Sequence, residues 1–121
     1  MTLNAKVAAV ETYIQALNDA NLAAIENLYA ADAVLEDPVG TPSKHGLTDI
    51  SAFYAGAFAN GGITAKLTGP VRVAGNCAAF AFSITFNGML MEIIDVFQFN
   101  DADKIIDMKA YWSEANISPA A

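Results

Sequence analysis

The first half of the chain places its apolar residues at helical spacing. Apolar positions recur every three or four residues over 3–18, which predicts an amphipathic helix. Asn21 is a favourable N-cap and precedes a second, shorter helix that carries Tyr29 on its apolar face. Thr48 predicts the start of a third helix, and the Asn-Gly-Gly sequence at 60–62 ends it.

A short strand over 33–37 and a loop over 38–46 separate the second and third predicted helices. Pro38 fixes its own φ and holds the residue before it in extended geometry. Strand alternation then points Asp37 to the same side as Leu35, toward the interior. An inward carboxylate on a stiffened strand end is typical of a positioned general base, and also of an ordinary aspartate that starts a turn.

From residue 63 onward the apolar residues alternate with a period of two, which indicates strands. The predicted strands cover residues 64–67, 71–74, 78–86, 89–100 and 105–112, with Asn87-Gly88 as a tight turn and the residues after Ser113 as a small tail. Helices followed by a long meander predict an α+β fold. We expect three N-terminal helices packed in the concave face of a strongly curved, mostly antiparallel sheet, a cone that encloses an apolar pocket.

A second acid lies in the middle of an aromatic hairpin. A two-residue turn at Asn87-Gly88 pairs Asp95 with Phe80. The same register pairs Ile93 with Phe82. Desolvation among phenylalanines favours the protonated carboxyl, which raises its pKa and makes it a hydrogen-bond donor. An aspartate at the edge of the core, tied to backbone amides, fits the same pattern.

Tyrosines on the apolar faces of the predicted helices point to the same interior. Tyr13 lies on the first helix, Tyr29 on the second and Tyr54 on the third. A buried hydroxyl needs a hydrogen-bond partner, and Asp95 is a candidate partner for Tyr13. The three rings are either simple core aromatics or members of a hydrogen-bonded relay.

The last predicted strand carries large apolar residues on one face. Met108 and Trp112 lie on that face together with Ile106 and Ala110. These side chains either line an apolar cavity or fill the core, and alternation alone does not separate the two.

Composition and charge narrow the possible functions. The 121 residues predict one domain over 1–121, and 55% of them are hydrophobic, with a mean hydropathy of +0.35. A net charge of −7 without a basic run argues against nucleic acid and anionic membranes as partners. The charge-free stretch 73–91 contains polar residues and a turn, so we interpret it as a buried hairpin rather than a membrane helix. The single cysteine, Cys77, excludes an internal disulfide and suits a reducing, cytoplasmic compartment.

Five short motifs carry a resemblance to a known family. They are residues 28–33 (LYAADA), 36–40 (EDPVG), 67–72 (LTGPVR), 94–97 (IDVF) and 108–114 (MKAYWSE). Each motif is weak alone, but their order and spacing together are specific. By these motifs the sequence resembles, over nearly its whole length, the bacterial Δ5-3-ketosteroid isomerases of the cone-shaped nuclear-transport-factor-like superfamily.

The resemblance implies a reaction and roles for particular residues. Asp37 falls on the catalytic base, Tyr13 on the tyrosine that donates to the 3-oxo oxygen, and Asp95 on the protonated acid beside it. Tyr29 and Tyr54 match a supporting tyrosine network. The steroid pocket positions fall on Phe80, Phe82, Met108 and Trp112. The implied reaction converts Δ5-3-ketosteroids to Δ4-3-ketosteroids by proton transfer from C4 to C6, in a homodimer that needs no metal and no cofactor.

Other proteins of this superfamily are the alternatives. Polyketide cyclases also use an aspartate base, and a non-catalytic protein that binds a hydrophobic ligand needs only the pocket. Epoxide hydrolases use an Asp-Arg-Asp arrangement, which the sole arginine, Arg72, does not supply if it points outward. Dehydratases rely on paired histidines, whereas His45 is the only histidine, so a histidine-based metal site is not expected either. We therefore expect an isomerase, with a cyclase-like enzyme or a binding protein as the alternative.

Overall fold

A computed structural model describes the backbone of residues 2–120 and the side chains of residues 5–120. Met1, Ala121 and the side chain of Leu3 in the first predicted helix lie outside this description. The helices in the described part are α1 (Thr2–Asp19), α2 (Leu22–Leu28) and α3 (Leu47–Ala59), which confirms the three predicted helices. As predicted, the Asn21 side chain caps α2, accepting from the backbone N–H of Ala24 at 3.1 Å. Within residues 2–120, none of the helices has the length and apolar character needed to cross a bilayer.

Eight strands within residues 2–120 form one sheet. They are β1 (Tyr29–Glu36), β2 (Lys44–His45), β3 (Thr64–Leu67), β4 (Arg72–Ala74), β5 (Cys77–Phe86), β6 (Met89–Phe99), β7 (Ile105–Tyr111) and β8 (Ile117–Pro119). The order is β2-β1-β7-β6-β5-β3, with β4 paired to β5 and β8 paired to β6. Only β1 and β7 are parallel among these pairs. The predicted α+β class with a mostly antiparallel sheet is confirmed.

The helices fill the concave side of this sheet. α1 contacts β3 at one end of the strand order, whereas α3 contacts β1 and β2 at the other end. α2 contacts both of the other helices. Because one helical layer reaches both ends of the strand order, the sheet curls around the helices, as the predicted cone requires.

The β5–β6 hairpin has the register that its turn predicts. Asn87 and Gly88 have φ values of +48° and +76°, as a type I′ turn requires. Phe80 therefore pairs with Asp95, and Phe82 pairs with Ile93. Because side chains alternate along a strand, this register points Asp95 inward, and only 1% of it is exposed.

Two polar contacts fix α1 to the sheet on either side of Tyr13. Near the start of α1, the buried Lys6 amine lies 2.7 Å from the carboxylate of Asp103, in the β6–β7 turn. Near its end, Asn18 pairs with both backbone groups of Ala65 in β3, donating at 2.8 Å and accepting at 2.7 Å. Asn18 thus covers the open edge of β3 much as another strand does. The position of Tyr13 over the sheet is set by both contacts.

Two predicted boundaries near the helices were wrong. Tyr29 is not on α2 but is the first residue of β1, with φ −97° and ψ 145°, and it pairs with Ile105. Pairing with β7 overrides the local helical pattern there. Thr48 does not cap α3, which begins at Leu47 after Gly46. Gly46 has a φ of +85°, a conformation that favours glycine.

The segment after Ser113 is not a loose tail, contrary to prediction. Residues Glu114–Asn116 form a 3-10 turn, and β8 then pairs with residues 89–91 of β6. The backbone N–H of Ala120 also donates to the carbonyl of Gly88 at 2.8 Å. A strand of three residues is too short for the alternation of apolar and polar residues to be recognised in the sequence. β8 is defined by its pairing with β6, which the local sequence does not show.

Candidate active site

A cavity of about 410 Å³ opens between α1, α3 and the sheet. Most of its lining is apolar: Leu17, Phe53, Ala57, Ile63, Phe82, Ile84, Phe86, Met91 and Ile93. The polar or polar-tipped side chains that line it are Tyr13, Asp37, Asp95, Trp112, Asn60 and Asn87. Apolar walls with a few polar groups are typical of a small-molecule site.

The carboxyl group of Asp95 is almost completely shielded from solvent. Both of its carboxyl oxygens lack a hydrogen-bond partner among the described residues. Burial raises the pKa of Asp95 well above its usual range, the nearby charge of Asp37 raises it further, and the Tyr13 hydroxyl lowers it. These surroundings favour the neutral carboxyl, which can donate a hydrogen bond, over the charged carboxylate.

Asp37 is held at the end of β1 by a residue distant in sequence. The indole N–H of Trp112 donates to Asp37 Oδ1 at 2.7 Å. The parallel pairing of β1 with β7, which sets Leu35 beside Met108, brings the two chain segments together. Burial raises the pKa of the Asp37 carboxyl, and the Trp112 hydrogen bond partly offsets this by lowering it. Asp37 is half-buried, and its peptide bond to Pro38 is cis.

The three predicted tyrosines meet in one hydrogen-bonded chain. The hydroxyl of Tyr54 lies 2.6 Å from that of Tyr29 and 3.2 Å from that of Tyr13. Burial raises the pKa of each hydroxyl well above its usual value, so all three remain protonated. Tyr13 lines the cavity, whereas Tyr54 and Tyr29 stand behind it. The hydrogen-bond partner of Tyr13 is therefore Tyr54, not Asp95 as the sequence suggested.

The four predicted pocket residues separate into two pairs. Phe82 and Trp112 line the cavity. Phe80 and Met108 do not line it but are fully buried in the core, where the Phe80 ring packs against those of Tyr13 and Phe97. Alternation identifies the inward face of a strand but not how far along that face the cavity extends.

Sequence reasoning missed two features of this site. The hydrogen bond from Trp112 to Asp37 was not foreseen, although a half-buried indole N–H usually requires an acceptor. Phe53 and Ala57 of α3 were not proposed as pocket residues, although their spacing of four puts them on one helix face.

No group of histidine, cysteine, aspartate and glutamate side chains suited to a metal ion occurs within the described residues. His45 is exposed on β2. Cys77 is half-buried at the start of β5.

The fold and the cavity define a class of protein: an α+β cone whose apolar cavity holds two carboxyl groups and a tyrosine hydroxyl. The family profile of the SnoaL-like domain matches residues 10–108. The chain is also similar to a steroid Delta-isomerase of Nocardioides simplex, with 39% identity over 119 residues that cover 93% of this chain and 95% of that protein. The chain belongs to the SnoaL-like domain family, and its predicted resemblance to the ketosteroid isomerases is confirmed.

Proposed function

We propose that the protein is a steroid Δ-isomerase, which moves the carbon–carbon double bond of a Δ5-3-ketosteroid into conjugation with its ketone. The observation that carries the proposal is the buried carboxyl of Asp95, which has no hydrogen-bond partner among the described residues and lies in the same cavity as Asp37 and Tyr13. The similarity to a protein named steroid Delta-isomerase supports it.

In this proposal Asp37 is the base. Its carboxylate removes a proton from C4 of the substrate and returns it to C6, so no net proton is consumed. The Trp112 N–H occupies Oδ1, which leaves Oδ2 for the substrate. Partial burial raises the pKa of Asp37, which makes its carboxylate a stronger base. The proposed reaction requires this carboxylate to be ionised at the pH of the reaction.

Tyr13 and neutral Asp95 are the proposed donors to the 3-oxygen, on which negative charge develops in the dienolate. A carboxyl kept neutral by its dry surroundings donates a hydrogen bond that a carboxylate does not have. Donors fixed in a water-poor cavity stabilise a developing charge without having to reorganise. This pairing of an ionised base with a neutral carboxylic acid is the established arrangement in ketosteroid isomerases.

The tyrosine chain supports Tyr13 by directing its proton. Each hydroxyl has one proton, so Tyr13 donates to the substrate only if it accepts from Tyr54. Tyr54 then accepts from Tyr29 at 2.6 Å. The resulting direction, from Tyr29 through Tyr54 and Tyr13 to the substrate, lets each hydrogen bond polarise the next.

The ultraviolet absorbance of a conjugated enone tests the proposal. We expect it to appear rapidly when the protein is mixed with 5-androstene-3,17-dione, and only slowly with Asp37→Asn. A folded protein that binds a phenolic steroid such as equilenin but produces no enone contradicts the isomerase proposal. Such a result supports the alternative, a protein that only binds hydrophobic ligands.

The outer face of the sheet supports a homodimer as part of the proposal. Ile94 and Tyr111 are paired neighbours on β6 and β7, and they are 49% and 46% exposed. Adjacent exposed apolar side chains are typical of an interface. Glu92 and Lys109 lie two residues away on the same face, where Lys109 forms an ion pair with Asp107 of its own chain at 2.7 Å. The centre of the face is therefore apolar and its surroundings are charged, as at many interfaces between identical subunits.

Light scattering tests the dimer. We expect the wild-type protein to have the mass of two chains and Ile94→Lys to have the mass of one. Ala8→Lys, on the exposed side of α1, introduces the same charge away from this face and is expected to remain a dimer. A wild-type monomer contradicts the proposal.

A further inference from the structure

Two asparagine side chains line the cavity away from its acids. Asn60 is the C-cap of α3, and Asn87 is the first residue of the β5–β6 turn. Six residues of helix separate Asn60 from Tyr54, a distance of about 9 Å along the axis. On the sheet, the four residues from Asp95 to Met91 span about 13 Å, and the turn lies beyond them. The asparagines therefore mark the end of the cavity that is remote from the tyrosines and acids.

The two turns that carry these asparagines meet across the mouth of the cavity. A Cβ atom on Gly61 would lie 3.9 Å from Asn87 Oδ1. The Asn87 side chain makes no hydrogen bond to other described residues. Asn60 donates one of its two amide N–H groups to the Gly56 carbonyl at 3.3 Å. The mouth thus presents the second N–H and the carbonyl oxygen of Asn60 and a complete amide from Asn87.

The charge of the cavity restricts what binds there. Its lining includes two aspartates and no lysine, arginine or histidine. The net charge of the chain is −7. Asn60 and Asn87 are both exposed to solvent at this mouth. An anionic group there would have no cation of the lining to pair with, whereas a neutral hydroxyl or ketone can hydrogen-bond to the two amides in place of water.

We propose that Asn60 and Asn87 form a subsite for a neutral oxygen at the end of the substrate remote from its 3-oxo group. The inference rests on the proposed isomerase function and assigns two specificity-determining residues to it. The oxygen that they contact is a hydroxyl or a ketone on ring D or on its side chain. The turn geometry explains why residue 87 is an asparagine followed by glycine, and the subsite gives its amide a second role.

A pair of substrates that differ in one oxygen tests the subsite. 5-Pregnene-3,20-dione has a ketone on its side chain, and 5-pregnen-3-one lacks it. We expect the wild-type kcat/KM to favour the diketone by about fivefold for each hydrogen bond made. Asn87→Gly keeps a residue that adopts positive φ, and Asn60→Ala suits an ordinary helix end, so both variants remove an amide while preserving the backbone. Each variant is expected to lower the ratio of the two kcat/KM values by about fivefold.

The ratio separates the subsite from general damage to the enzyme. A misfolded or slow variant lowers both kcat/KM values together and leaves their ratio at the wild-type value. Asn27→Ala, on an exposed side of α2, is the matched control and should leave the ratio unchanged. A wild-type ratio near one, or a ratio unmoved in folded Asn60→Ala/Asn87→Gly, overturns the subsite and leaves the isomerase proposal intact. If the wild-type protein isomerises neither of these steroids nor 5-androstene-3,17-dione, both proposals are wrong.

Discussion

Asp37 and Asp95 line the same cavity but belong to different parts of the sheet. Asp95 lies in the middle of β6, between Phe80 of β5 and Ala110 of β7. Asp37 comes just after β1, where the chain leaves the sheet, and a side chain donor reaches it there. Burial raises the pKa of both acids, and a neighbouring donor partly lowers it at each, Trp112 for Asp37 and Tyr13 for Asp95. Among the described residues, however, only Asp37 accepts a hydrogen bond.

The supply of backbone donors explains this difference. A strand paired on both sides uses its N–H groups in the two ladders, so they do not turn toward a carboxylate on the same strand. Asp95 is therefore not tied to backbone amides, the alternative that its sequence pattern left open. Past the end of a strand, a side chain such as that of Trp112 has room to approach. The position of an acid relative to a strand end thus decides which hydrogen-bond donors can reach it.

The largest expected effect comes from removing the charge of Asp37. Asp37→Asn keeps the shape of the side chain but not its basicity, so we expect kcat for 5-androstene-3,17-dione to fall by about 10²- to 10⁴-fold. Binding of equilenin should persist, because the cavity is unchanged. Asp32→Asn, on an exposed part of β1, is the control and should keep normal turnover. Loss of equilenin binding together with loss of fold would mean that Asp37 is structural.

The second largest loss of kcat is expected from removing a hydrogen-bond donor to the 3-oxygen of the substrate. Tyr13→Phe removes one proposed donor to the 3-oxygen, and we expect kcat to fall by about 10²- to 10³-fold. Tyr54→Phe and Tyr29→Phe act through the hydrogen-bond chain, so their losses should be smaller in that order. Steady-state kinetics of the three variants measure the series. Equal losses for all three would contradict a chain that ends at Tyr13.

Stability against pH measures the protonation of Asp95. A carboxyl that is neutral when folded and ionised when unfolded gives the folded state one extra proton. Stability is then greatest below the unfolded pKa and falls by about 1.4 kcal/mol per pH unit as pH rises toward the raised folded pKa. Urea unfolding at several pH values and one protein concentration should detect this fall, and Asp95→Asn should remove most of it. An unchanged slope in Asp95→Asn would contradict a neutral Asp95.

The smallest effect expected is that of the Trp112 hydrogen bond. Trp112→Phe removes a donor that lowers the pKa of Asp37, so the pKa of Asp37 rises further. A base with a higher pKa is protonated, and therefore inactive, up to a higher pH. The acidic limb of the plot of kcat/KM against pH should therefore move to higher pH. On that limb we expect kcat/KM to fall by about tenfold, which corresponds to the usual free energy of a hydrogen bond to a charged group. A profile with an unmoved limb would mean that the bond does not act on Asp37.

Local signals in the sequence predicted the fold around Asp95 well. The Asn87-Gly88 turn determines the hairpin register, and the register sets Asp95 opposite Phe80. Helical spacing likewise identified α1 and with it the inward Tyr13. These features depend on residues close together in the chain, so periodicity and turn chemistry are sufficient to predict them.

The surroundings of Asp37 depend on contacts that are distant in sequence. Trp112 and Asp37 are separated by 75 residues, and the parallel pairing of β1 with β7 brings them together. Periodicity does not identify the partner of a strand, so neither this hydrogen bond nor the strand position of Tyr29 was predicted. The resemblance assigned Phe80 and Met108 to the pocket, whereas in the structure they lie in the core and do not line the cavity.

Trp112 is the only tryptophan in the chain, and its ring N–H contacts Asp37. Its fluorescence therefore originates at one known point, on the wall of the cavity. Titration of the neighbouring carboxylate and entry of a ligand both change the surroundings of this ring. The protein thus contains an intrinsic optical probe, which follows the proposed base in the unlabelled native chain and during turnover.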